Sequence, residues 1–242
     1  MGSPPGHPPL PRGRRRLLLG LLACLCLWAA CDGGPQAPPA PPPAPAEGIT
    51  FFGIGRESRY TEALRRELSR TLGREAIERR SLLDLEISFR GFLRDHLPEL
   101  DRLHRRLNDP PDERVEHEVT RLMYRYARQA GAPFDVVDLI FDGPTGKPLL
   151  FRMRFRRDEA GTVAALRERY GPPEVLPWKT EGGESWLWRR EGDLLVLSFV
   201  PDQFGQPSHR IDLYFTANLE EAAARRERAR RGGAPSPPPS LF

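Results

Sequence analysis

The sequence predicts an α+β fold: a helical N-terminal part packed with a small antiparallel sheet of strand order ββαβββ, followed by a C-terminal helix. Three observations predict it. Apolar residues recur at helical spacing between positions 57 and 131, they switch to alternation between 135 and 216, and Gly- and Pro-bearing turns punctuate the second stretch.

The chain begins with a segment of a different kind. Residues 1–16 end in Arg14-Arg15-Arg16, and residues 17–30, LLLGLLACLCLWAA, form an uninterrupted apolar run. Fourteen helical residues reach only about 21 Å, against a hydrocarbon core of about 30 Å. A basic start, a short apolar core and small residues at its end are the layout of a signal peptide. Cys31 follows Ala29-Ala30 directly. This resembles the lipobox of bacterial lipoproteins, with Trp28 standing where the family favours Leu. The resemblance implies an acylated Cys31 as the mature N-terminus, and so a membrane anchor of the palmitate type. The alternatives are plain secretion after Ala30, an uncleaved anchor, or a different start. A rival box ends at Cys24, and the arginine run also resembles a twin-arginine signal.

Residues 31–47 then comprise the lipidated cysteine and a Pro/Ala-rich tether, which favours polyproline II and reaches roughly 40–50 Å. The first predicted helix carries Tyr60, Leu64, Leu68 and Leu72 on one stripe. Residues 75–107 carry a broader face, Leu82, Phe89, Leu93, His96, Leu100, Leu103 and Leu107, with a break expected near 97 because Pro98 interrupts it. A third helix is expected from Asp109 as cap, through Pro110, Val115, Val119, Leu122 and Tyr126, to Gly131. These make up a helical region, 48–133.

The α+β region spans 134–231. Residues 135–141 read as a strand, DGPTGK as a turn and 149–156 as its partner. Asp158 is placed to cap a helix over 159–170, which Gly171-Pro172 stops. Strands follow at 184–190, 193–200 and 209–216, then a charged helix at 218–231. With hairpins throughout, helices are expected on one face of the sheet. Residues 232–242, GGAPSPPPSLF, are an expected disordered tail, and no internal repeat is evident. The segment Leu166-Arg-Glu-Arg-Tyr-Gly-Pro-Pro, followed by a Trp-bearing strand and a tight turn, resembles small α+β domains of bacterial envelope lipoproteins of the BamE type. That resemblance covers roughly a third of the chain and implies no active site.

Charge excludes one class. The chain has 37 basic and 33 acidic residues, a net +4. The whole excess sits at Arg12, Arg14, Arg15 and Arg16, so the remainder is neutral and no nucleic-acid partner is expected. The three cysteines are Cys24, Cys26 and Cys31, which leaves the folded part without thiol chemistry or disulfides.

Two candidate binding features emerge. Leu149, Phe151, Met153 and Phe155 alternate with Leu150, Arg152, Arg154 and Arg156, so one strand face carries three arginines. Trp186 and Trp188 share another strand face, with Trp178 and Phe204 in nearby loops. Solvated arginines paired across strands, and core tryptophans, are the plainer readings of both. No cofactor or metal is expected: His117-Glu118 is followed by Arg121 where a zinc-protease motif needs its second His, and His96 and His104, which share one side of a helix with Glu99 and Asp101 nearby, form no recognised ligand motif. Gly53-Ile-Gly55 has no strand-to-helix nucleotide context and reads as an entry to the first helix. The expectation is a membrane-anchored envelope lipoprotein with a non-enzymatic binding or assembly module for an envelope protein or polymer. The competing classes are an envelope hydrolase or transferase with unrecognised carboxylates, and a structural subunit of an envelope complex.

Overall fold

The computed structural model describes residues 48–87, 91–111, 113–156, 158, 161–178, 183–201 and 207–232. Cys31, the tether, the tail, Phe89 and Phe204 lie outside these residues.

The chain enters through a strap. Phe51 and Ile54 bridge across a tight turn whose tip, Phe52-Gly53, is left-handed at both residues. Ile49 and Ile54 are buried. Gly53-Ile-Gly55 thus forms part of this turn. Helix α1 (Glu62–Leu72) follows, with the Thr61 hydroxyl accepting from the Leu64 amide at 3.0 Å. Its stripe is as expected, Leu68 and Leu72 being fully covered.

Beyond α1 the helical reading is corrected. Residues Ala76–Ser81 form strand β1, not helix. The chain does break at Leu97-Pro98, between α2 (Phe92–His96) and α3 (Pro98–Leu107). The third expected helix is replaced by strand β2 (His117–Tyr124) and a 3-10 turn at Ala127–Ala130, which Gly131 ends. The remaining elements are β3 (Val136–Asp142), β4 (Pro148–Phe155), α4 (Thr162–Tyr170), β5 (Glu174–Pro177), β6 (Glu184–Arg190), β7 (Asp193–Pro201), β8 (Pro207–Tyr214) and α5 (Thr216–Gly232). α4 begins at Thr162, later than expected, with Gly161 in the N-cap position, but the Asp158 carboxylate still accepts from its first amides, those of Thr162 at 2.6 Å and Val163 at 2.9 Å.

The sheet is therefore larger than ββαβββ. Eight strands form it, in the order β1-β2-β3-β4-β8-β7-β6-β5, each antiparallel to its neighbours. Helices cover both faces, not one. On the first face α1 and α4 pack over Phe151, Met153, Phe155, Leu197 and Leu213. On the second, α2, α3, α5 and the segment 83–87 pack over Leu150, Val196 and Tyr214. The expected alternation in β4 holds for Phe151, Met153 and Phe155. Leu149 departs from it and joins the second face, next to a register shift between Ile140 and Phe141.

The element order also holds a repeat. The series α1-β1-β2-β3-β4 recurs as α4-β5-β6-β7-β8. Each series starts at a sheet edge and ends at the centre, where β4 pairs antiparallel with β8. Antiparallel pairing of equivalent strands is the geometry of a two-fold relation. The helix ends repeat as well. α1 stops at Gly73 (φ 81°, ψ −158°) and α4 at Gly171 (φ 79°, ψ −168°). Leu72 and Tyr170, the residues just before, are both buried. The first series alone carries α2 and α3 between its first two strands.

The strap crosses this division. It precedes α1 but docks on the second series: the Arg56 guanidinium donates to the Asp193 carboxylate at 3.1 Å and to the Glu191 carbonyl, and Asn218 of α5 donates to the Arg56 carbonyl at 3.0 Å.

Candidate functional site

The second face of the sheet is covered unevenly. The helices and the segment 83–87 close the end containing Leu150 and Tyr214. The other end holds a cleft of about 540 Å³, lined among the described residues by Arg121, Met123, Arg125, Val136, Asp138, Arg152, Arg154 and Arg210. Strand register sets this lining. In one row across the sheet, Met123 of β2 stands beside Asp138 of β3, then Arg152 of β4, then Asp212 of β8. In the next row out, Val136 stands beside Arg154, and Arg154 directly opposes Arg210. Arg125, one place beyond the Tyr124–Val137 pair, extends that outer row.

The inner row is neutralised. Arg121 donates to both oxygens of Asp138, at 2.7 Å to one and 2.9 Å to the other, and reaches Glu78 at 3.2 Å. The bond to Asp138 raises the Arg121 pKa against the opposing effect of burial. Asp212 is fully buried and takes two guanidiniums, Arg152 at 2.8 Å and Arg210 at 2.7 Å. Arg152 also donates to the carbonyls of Asp84 and Glu86, at 2.6 and 3.1 Å, and Arg210 donates to that of Glu86 at 2.8 Å. These bonds pin the 83–87 segment over the sheet. Burial alone would lower the Arg152 pKa, but the charge and hydrogen bond of Asp212, with Tyr214 and Asp84 nearby, together raise it.

The outer row is neutralised only at Arg210, through Asp212. Arg125 and Arg154 are exposed, and their side chains make no hydrogen bond or ion pair among the described residues. Of the five arginines in the cleft, Arg121, Arg152 and Arg210 are held by Asp138, Asp212 and the flanking Glu78, which leaves two guanidiniums, Arg125 and Arg154, without a described side-chain partner.

Each expected site residue now has a place. Of the basic stripe, Arg154 lies free in the cleft, Arg152 is built into the core beneath the segment 83–87, and Arg156 lies exposed just beyond the end of β4. Trp186 and Trp188 lie on the opposite face of the sheet, so no single surface joins them to the arginines. Trp188 is buried and its indole donates to the Gly171 carbonyl at 2.8 Å, which holds the end of α4. Trp186 is half-buried between Phe199 and the Arg167 guanidinium of α4. Trp178 packs against the second core and donates to Ser185 at 2.9 Å. His104 accepts from the Leu85 amide at 3.2 Å, and His209 stacks on Phe155 at 4.7 Å. Among the described residues no three His, Cys, Asp or Glu side chains come together as metal ligands, and no helix is long and apolar enough to cross a membrane.

Sequence reasoning missed Arg121, Arg125, Asp138, Arg210 and Asp212. The signal was present: Arg121, Met123 and Arg125 alternate as Arg152 and Arg154 do, but the helical reading of 109–131 scattered them around a cylinder. No family model matches the chain, and neither does any curated protein or solved structure.

Proposed function

We propose that this protein is a lipid-anchored envelope protein, acylated at Cys31, whose folded domain is a non-enzymatic module that binds an anionic envelope ligand in the arginine cleft. The observation that carries the binding reading is the outer row, where the Arg125 and Arg154 guanidiniums are uncompensated. A mature chain that is neutral overall concentrates free guanidiniums at one cleft, beside a core that spends its carboxylates on the neighbouring arginines. Arginine forks suit carboxylate and phosphate oxygens, and such a surface steers anionic partners at low ionic strength. The signal-peptide layout and Ala29-Ala30-Cys31 support the anchor.

Two measurements test the two parts. Cys31→Ser should release the protein from the membrane fraction or leave a precursor; an unmodified mature N-terminus in the wild type would overturn lipidation. For the cleft, full-length protein in neutral detergent should be retained on immobilised polyglutamate and eluted by salt. An Arg125→Glu/Arg154→Glu double variant should keep its circular dichroism and lose retention. Equal retention of variant and wild type overturns the cleft as the binding surface.

A further inference from the structure

We propose that the outer arginine row is a site for a phosphate monoester dianion, held between Arg154 and Arg210 with Arg125 at its flank. The proposal rests on the cleft being a binding surface and names the chemistry it selects. Arg154 and Arg210 are registered partners across the β4–β8 ladder and project from the same face. Like charges placed directly opposite on adjacent strands destabilise a sheet. Strands lie about 4.8 Å apart, so the two guanidiniums start from neighbouring positions and can close on one group. The Arg210 guanidinium leans inward to Asp212 and to the Glu86 carbonyl, and the Arg154 side chain has no described partner. The repulsion is therefore built in, and an anion would relieve it.

The amount and shape of charge select the anion. Two unpartnered guanidiniums, those of Arg125 and Arg154, match a dianion. A planar carboxylate presents two oxygens with a single charge, which one guanidinium fork occupies. A terminal phosphate presents three oxygens and close to two charges, and can accept from the Arg154 fork and from the Nη1 of Arg210 at once. A phosphodiester carries one charge and only two free oxygens, so it fits less well. The open side of the cleft leaves room for whatever carries the phosphate.

A residue that binds in this way costs stability until its ligand arrives, and that signature separates it from a merely solvated arginine. Thermal unfolding of the full chain in neutral detergent would be followed with inorganic phosphate, chloride, acetate, polyglutamate or phosphatidylglycerol vesicles at matched ionic strength. In chloride, Arg154→Gln should raise the melting temperature by about 1–2 °C, because the like-charge pair is gone. Millimolar inorganic phosphate should raise the wild-type melting temperature further and leave Arg154→Gln unmoved, by the linkage of binding to stability. The apparent phosphate affinity should fall at least tenfold in Arg154→Gln and be partly retained in Arg154→Lys. Sulfate should mimic phosphate. An equal phosphate response in wild type and Arg154→Gln overturns the proposal. Arg154-dependent protection by polyglutamate or by the vesicles, without phosphate, also overturns it while leaving the cleft a binding surface. If no anion distinguishes wild type from Arg154→Gln, the binding reading falls with it.

Discussion

Arg152 and Arg154 are two residues apart on one strand and have opposite consequences. Arg152 shares the buried Asp212 with Arg210 and holds two carbonyls of the crossing segment 83–87. Removing Asp212 strands two guanidiniums without their counter-ion. Asp212→Ala should therefore cost about 3–5 kcal/mol, and Arg152→Ala somewhat less because Asp212 keeps Arg210. Arg154→Ala should be neutral or slightly stabilising; chemical denaturation of the three variants orders them. His117 makes a second residue-scale prediction. Burial, and then the nearby Arg226 charge, push its pKa down to about 4. It lines a groove with Glu116, Glu118, Asp142, Arg225, Arg226 and Arg228, and its Nε2 has no hydrogen-bond partner. The unfolded chain takes up this proton near pH 6.5 while the native chain resists until about pH 4. Stability from this group is thus complete above pH 6.5 and lost as the pH falls toward 4, by about 2 kcal/mol after discounting for its partial exposure. In His117→Gln that part of the acid dependence should vanish from a pH series of unfolding curves.

Elements were legible where the chain alternates or is punctuated, and illegible where neither holds. The β3–β4 hairpin, the break at Leu97-Pro98 and α4 with its Asp158 cap all follow from local chemistry. Asp158→Ala should accordingly cost about 1 kcal/mol, measurable by denaturant titration, since it removes acceptors from two α4 amides. β2 was read as helix for a physical reason. It lies inside the sheet with Leu122 and Tyr124 turned to the first core, while its second face is divided between Val119 in the second core and Arg121 and Met123 in the cleft. A second face that mixes apolar and charged residues blurs the period of two, and Val115, Val119, Leu122 and Tyr126 fall by chance at helical spacing. β1 failed for the converse reason. As an edge strand it is short and charged, Ala-Ile-Glu-Arg-Arg-Ser, which blunts the edge against pairing and leaves little apolar signal. The cleft was half visible. Arg154 could be placed on a face from sequence, but its opposition to Arg210 depends on β4 meeting β8, a pairing between strands far apart in the chain.

At the scale of the molecule, the two αββββ series share one sheet and both cores, so neither half buries its apolar surface alone. A chain cut to residues 48–232 should unfold in one transition, with calorimetric and van't Hoff enthalpies equal, and be indifferent to reductant because it has no cysteine. Two separate transitions would mean that the series fold as independent units. The repeat escaped the sequence because the α2–α3 insertion breaks its period and the retained features, such as Gly73 and Gly171, are isolated positions. The strap gives this arrangement a mechanical meaning. A pull on the chain ahead of Gly48 does not reach α1 or the edge strand β1 first. It meets the ion pair of Arg56 with Asp193 and the amide of Asn218, and so passes directly into the β6–β7 turn and α5. Tension is delivered to the second series, across the sheet from the exposed β1 edge, and the strand most easily peeled away is spared the load.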